Sequence, residues 1–308
     1  MLSILFAILP IFLVILLGHL SVRRKLLSLS FWGEAERLVF YLLFPALLLS
    51  SVAQAPLTDL TLLPLALATF AALLLVSALA LLLHLQISRD GPSFTSVFQG
   101  LIRPNTYLCF AIAIALDDMP GVEAVAIAIA FYVPLVNLLS IIVLVRYGSS
   151  QVRNAGKIVF AVVKNPLMLA IFAGLILNVS GVGLHASLVS VFDILGRAAL
   201  CLGLMAVGAG LDLASAKAER RLVGLAVAGK LILMPLVALA AALLFGVEAE
   251  ARAALVLLAG SPTAGTSYIM ARQMGGNAPL VANIITTQVA VALFTMPLLL
   301  FLLAELPA

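Results

Sequence analysis

The sequence predicts an all-α polytopic membrane protein: ten transmembrane helices as a 5+5 inverted repeat, in which spans four and nine are broken and cross. Three observations lead there. The chain of 308 residues is 64% apolar and 10% charged, with a mean hydropathy of +1.26, whereas a soluble domain is roughly half apolar and a quarter charged. Its apolar runs reach about 20 residues, enough for a helix to cross a ~30 Å hydrocarbon core and far longer than barrel strands. Finally, a proline interrupts two of these runs at corresponding places, Arg103-Pro104-Asn105-Thr106 and Ser261-Pro262-Thr263-Ala264-Gly265.

Taken in order, the spans fall at 2–22, 35–54, 61–87, 94–116, 122–148, 157–178, 187–212, 221–246, 251–272 and 278–303. Each is set by a window long enough to span the core. The first starts without a basic leader and has no small-residue cleavage site after it, so it reads as a membrane helix and not a signal peptide. The fourth and ninth hold the breaks. The fifth and tenth carry polar residues inside apolar runs: Tyr132 and Asn137, then Asn283, Thr286, Thr287 and Gln288. A polar, basic connection near Ser149–Asn154 divides the chain into repeats 1–150 and 151–308. Five spans is an odd number, so the second repeat enters the membrane from the side opposite the first. Paired breaks in corresponding spans are the expected mark of such a repeat.

Basic residues set the orientation. Loops after odd-numbered spans carry Arg23, Arg24, Lys25, Arg37, Arg89, Arg146, Arg153, Lys157, Lys217, Arg220, Arg221 and Arg272, twelve of the seventeen Lys and Arg. The opposite loops carry Arg252 among Asp59, Asp117, Asp118, Glu123, Glu248, Glu250 and Glu305. The positive-inside rule then puts both termini outside the cytoplasm. The expected location is the inner (plasma) membrane.

At ~1.5 Å rise per residue, ten residues reach mid-depth. Arg103, Pro262, Arg197 and Lys230 all count to that level, and Asp193 lies one turn before Arg197 as an i,i+4 pair. A charge there costs at least ~2.5–3.5 kcal/mol on insertion scales, which makes each a functional candidate. Arg103, Arg197 and Lys230 against Asp193 leave two positive charges in excess, so an anion is the favoured cargo. Arg103 and Lys230 can alternatively anchor helices or bond carbonyls freed at the breaks. The Asp193–Arg197 pair reads as a structural tie, with proton coupling as the other option.

Beyond each break a half-helix begins whose free N–H groups carry partial positive charge. Two such ends facing each other would hold a carboxylate. The candidate binding set is Arg103, Pro104, Asn105, Thr106, Pro262, Thr263, Ala264, Gly265, Asn137 and Gln288. Self-capping of the breaks, and helix–helix bonding by Asn137 and Gln288, are the competing roles. Neither break carries an acid, so a sodium-ligating carboxylate is not expected in the site. Gly203, Ala206, Gly208 and Gly210 suit close helix packing.

Other chemistries find little support. Cys109 and Cys201 lie in separate apolar spans, and His19, His84 and His185 lack partners at ligand spacing, so neither metal nor cofactor is expected. The net charge of +4 is scattered over span ends and does not form a nucleic-acid surface. A membrane-embedded enzyme acting on a lipid or peptide is the alternative function, but its one adjacent acid pair, Asp117-Asp118, has no second acidic motif facing it. No filter motif points to a channel.

The motifs taken together resemble the auxin efflux carrier family, which includes plant PIN auxin exporters and bacterial carriers associated with malonate and other organic acids. The resemblance runs through Leu9-Pro10-Ile11-Phe12 with Gly18, Arg37-Leu38-Val39-Phe40-Tyr41 and Pro45-Ala46-Leu47-Leu48. It continues with Arg103-Pro104-Asn105-Thr106, Asn165-Pro166 with Gly174, and Lys230-Leu231 with Pro235. It ends in Ser261-Pro262-Thr263-Ala264, Ala271-Arg272-Gln273-Met274-Gly275 and Thr295-Met296-Pro297-Leu298. The resemblance implies a carrier with a scaffold of spans 1, 2, 6 and 7 and a transport domain of spans 3–5 and 8–10 that moves as an elevator. It also implies a homodimer through the scaffold and, at Asn105, a contact near the substrate carboxylate. The chain departs from the family pattern at Cys201, where proline is common, and at Arg103, which has no obvious match in the plant branch. Protons and sodium both stay open as coupling ions.

Overall fold

The computed structural model describes residues 2–55, 62–116, 120–149, 166–211 and 219–305. The Asp117-Asp118 pair, Asp59, the 150–154 junction, Lys217 and the start of the sixth expected span lie outside these residues. Every regular element among them is helical: α1 (Leu2–Arg23), α2 (Leu29–Gln54), α3 (Leu62–Leu82), α4 (Gly91–Ile102), α5 (Thr106–Leu116), α6 (Val122–Tyr147), α7 (Pro166–Val179), α8 (Ala186–Ala209), α9 (Arg220–Leu244), α10 (Ala249–Gly260), α11 (Thr266–Met274) and α12 (Ala278–Ala304), with a single helical turn at His84–Ile87. Seven of these, α1, α2, α3, α6, α8, α9 and α12, are long and apolar enough to cross a membrane.

Prolines explain the irregularities. A residue before proline is pushed out of the helical region. Arg103 accordingly sits at φ −79°, ψ 129° and ends α4, and Ser261 sits at φ −71°, ψ 147° and ends α10. A proline inside a helix gives no N–H to the carbonyl four residues back, which favours a widened turn. The π-helical turns Val39–Leu43 and Gly229–Leu233 stand two residues ahead of Pro45 and Pro235.

Packing follows surface chemistry. α1 lies along α8, and α2 along α7. Small residues let the first pair touch backbone to backbone: a Cβ on Gly208 would overlap the carbonyl of Ile15, and one on Gly18 that of Met205. Asn178 on α7 donates to the carbonyls of Val52, Ala53 and Ala55 at 3.0, 3.1 and 2.7 Å, closing the C-terminal end of α2. In the rest of the molecule, α9 packs on α3 and α10, and α6 on α3, α4 and α10. The short helices are the innermost parts: residues 93–102 of α4 and 251–260 of α10 are buried on every face. The outer faces of the long helices expose Leu, Ile, Val and Phe side chains, the surface expected where lipid is the solvent.

Candidate functional site

The two breaks touch. The backbone N–H of Asn105 donates to Ser261 Oγ at 3.1 Å, and Thr263 Oγ1 donates to the Gly100 carbonyl at 3.2 Å. Four half-helix ends therefore converge, and their orphan backbone groups can be followed one by one.

At the C-terminal ends, side chains of the protein take up several of the carbonyls. At the end of α4, the Gly100 carbonyl accepts from Gln288 Nε2 at 2.8 Å as well as from Thr263, and the Ile102 carbonyl accepts from Tyr132 OH at 3.1 Å. At the end of α10, the Leu258 carbonyl accepts from Ser261 Oγ at 2.8 Å and from Lys230 Nζ at 3.3 Å. Lys230 rides on the widened turn of α9, is fully buried, and stands 5.8 Å from the centre of the Tyr132 ring. A cation at a helix C-terminus is favourably placed, so Lys230 is a tie between α9 and α10. Gln288 is fully committed as well: Oε1 accepts from Thr263 N–H at 2.8 Å, and Nε2 donates to Gly100 and to the Ala226 carbonyl at 2.9 Å.

The N-terminal ends are more open. Asn105 Oδ1 accepts from Leu108 N–H at 3.1 Å and caps α5, but its Nδ2 is buried without a partner among the described residues. Arg103 crosses to the start of α11, where Nη2 donates to Thr266 Oγ1 at 3.1 Å and Nη1 meets Met270 Sδ at 3.0 Å. Among the described residues its Nε has no partner, and no carboxylate lies within 4.0 Å. Ser267 Oγ, in the first turn of α11, is also buried and unpaired. Three of the side-chain donors left over, on Arg103, Asn105 and Ser267, thus lie near the helix N-termini, where the dipoles are positive.

Pro104, Thr106, Pro262, Ala264 and Gly265 form the turns themselves, Thr106 opening α5 and Gly265 preceding α11. Asn137 is half-buried on α6, five residues past Tyr132, and makes no hydrogen bond to either break. The Asp193–Arg197 tie needs correction. Both residues are exposed on α8 and do not form an ion pair: the spacing permits contact without requiring it, and an exposed pair gains little from closing in a single chain.

Sequence reasoning overlooked two residues. Gln99, one turn before Arg103, is fully buried with both amide atoms unpaired. Glu36 of α2 also reaches the crossover: its Oε1 stands 3.1 Å from where a Cβ on Gly265 would be. The expectation of no acid at the site holds within the broken spans and fails for a neighbouring one. Gln99 was recoverable from its i,i+4 spacing to Arg103. Glu36 was not, since only folding brings residue 36 to residue 265. An apolar crevice between α3, α4 and α9, lined by Val76, Leu101, Gly229 and Leu236, offers no comparable polar groups.

Compared with known proteins, residues 149–300 match the family model described as Membrane transport protein. No curated protein matches the chain.

Proposed function

Because residues 149–300 place the chain in the membrane transport protein family, that of the auxin efflux carriers, we propose that it is a secondary carrier of small organic anions, with the cargo held at the crossover. One observation carries this reading: Arg103 is 7% exposed, has no acid within ion-pairing distance among the described residues, and stands beside the unpaired Nδ2 of Asn105 in sequence and the unpaired Ser267 Oγ across the break. An uncompensated buried cation is costly, and a carboxylate would supply the missing charge and the missing acceptors together. Small dicarboxylates such as malonate, and auxin-like acids, are the cargo class.

Ten spans in two inverted repeats, 1–150 and 151–308, with both termini outside the cytoplasm of the inner (plasma) membrane, complete the reading. The pairing of α1 with α8 and of α2 with α7, apart from the packing around α4 and α10, supports a scaffold and a transport domain moving as an elevator. Exposed Asp193 and Arg197 on α8 support a homodimer through the scaffold, since charges at that depth are costly against lipid. A potential of 100 mV, negative inside, is worth ~2.3 kcal/mol per charge, so export of an anion needs no coupling and uptake needs a cation.

The test is reconstitution. Liposomes holding the purified protein should take up or release radiolabelled malonate or another acid of a carboxylate panel, unchanged and with saturation. Arg103→Ala and Asn105→Ala should abolish binding while the protein still folds. Conversion of the acid, or wild-type affinity in both variants, refutes the assignment.

A further inference from the structure

Glu36 has no hydrogen-bond or ion-pair partner among the described residues, although it abuts the backbone at the start of α11. Arg37, next in the chain, turns outward and pairs with Glu34 at 3.2 Å. Arg103, the nearest cation of the site by connectivity, is held on Thr266, one residue from Gly265. Of the elements packed against this part of α2, α5 presents Tyr107, which interacts electrostatically with Glu36. α8 carries Asp193, Arg197 and Cys201, all exposed, and α11 carries Tyr268 and Arg272, stacked on each other at 6.0 Å. α1 adds His19 and Arg23, and none of these groups bonds Glu36. The described part of α7 has no titratable group.

We propose that Glu36 takes up one proton whenever an anion settles at the crossover, making binding at that site proton-linked; this rests on the anion reading above. The charge count is the reason. With the site empty, ionised Glu36 stands at the start of α11 without an ion pair to Arg103. A carboxylate arriving beside Gly265 and Thr266 adds a second negative charge a few ångströms from the first, in a medium that screens poorly. A proton from bulk water converts the Glu36 carboxylate to the neutral acid and leaves Arg103 to the cargo. Glu36 belongs to α2 while the anion belongs to the broken helices, so the proton also reports on contact between these two parts.

Trp32, the single tryptophan, lies one turn before Glu36 and bonds Ser21 Oγ at 3.1 Å, which makes it a fluorescence reporter. Malonate affinity should be measured this way in purified protein between about pH 6.5 and 8.5, where malonate is already ionised. Wild-type affinity should fall toward about tenfold per pH unit at the upper end. Glu36→Gln should bind with affinity constant across the range, and Glu36→Asp should keep the slope. A Glu36→Gln variant that retains the wild-type slope overturns the proposal and leaves the anion site standing, as does a flat wild-type profile. No binding by the wild type at any pH, for malonate and the carboxylate panel, overturns the site reading and the linkage with it. Should Glu36→Gln fail to fold, judged by its unfolding midpoint, the wild-type and Glu36→Asp slopes decide.

Discussion

Replacing Gln288 by methionine should loosen the crossover more than any other single change of similar size. The amide makes three buried bonds, to Thr263 N–H, the Gly100 carbonyl and the Ala226 carbonyl. Methionine fills nearly the same volume, so the cavity contribution is small. Gly100 keeps Thr263 Oγ1 as a donor, and Ala226 keeps the N–H of Gly229. Thr263 N–H keeps nothing, and an orphaned buried donor costs about 1–3 kcal/mol. The other two lost bonds add about 0.5–1.5 kcal/mol each, for a total of about 2–6 kcal/mol. Unfolding of purified protein in detergent, by denaturant or heat, gives the ranking. Thr287→Ala is the control: that half-buried hydroxyl bonds the Asn283 carbonyl of its own helix at 2.8 Å, and its loss should stay within about 1 kcal/mol. A Gln288→Met protein as stable as the control would show that this amide does not hold the broken helices together.

Two further outcomes follow from packing. Gly208→Ala should cost about 1–3 kcal/mol or more, because its Cβ meets the backbone of Ile15, which cannot rotate away; Gly210→Ala, whose nearest neighbours would stand at 3.6 Å, should be near neutral in the same unfolding assay. If α8 pairs with its copy in a second protomer, Asp193→Arg should reduce the dimer fraction by mass measurement in lipid nanodiscs, and the exchange Asp193→Arg with Arg197→Asp should restore it. A monomeric wild type, or a double exchange no better than the single, rules that interface out.

The breaks were legible because proline acts locally. Pro104 and Pro262 bias Arg103 and Ser261 toward extended backbone, and the short polar residues that follow each of them, absent after Pro45 and Pro235, made the breaks readable from the chain. Lys230 could be singled out by counting residues along an apolar run, and it is fully buried, but its partner was not legible: the Leu258 carbonyl is 28 residues away and becomes an acceptor only because α10 ends there. The Asp193–Arg197 pairing failed for a related reason. Spacing along a helix permits an ion pair and does not require one: Glu34 and Arg37, also exposed, pair at 3.2 Å, whereas Asp193 and Arg197 do not. Seen from sequence, Glu36 is one acid among the charges at the mouth of its helix; its relevance comes from a contact made across more than two hundred residues.

The distribution of unpaired groups also bears on which cation could accompany the anion. Sodium at a helix break would need backbone carbonyls free to ligate it. Here the Gly100, Ile102 and Leu258 carbonyls already accept from Gln288, Thr263, Tyr132, Ser261 and Lys230. Lys230 in particular places a protonatable nitrogen where a metal ion would compete for the same oxygen. At these three carbonyls a sodium ion would have to displace the donors and leave them buried without acceptors, at a cost of about 1–3 kcal/mol for each neutral group and more for the ammonium. Protonation of Glu36 displaces nothing, since that carboxylate has no bond to lose. If binding at the crossover is linked to a proton and not to a metal ion, malonate affinity in the same fluorescence assay should be unchanged when sodium is replaced by choline at constant pH.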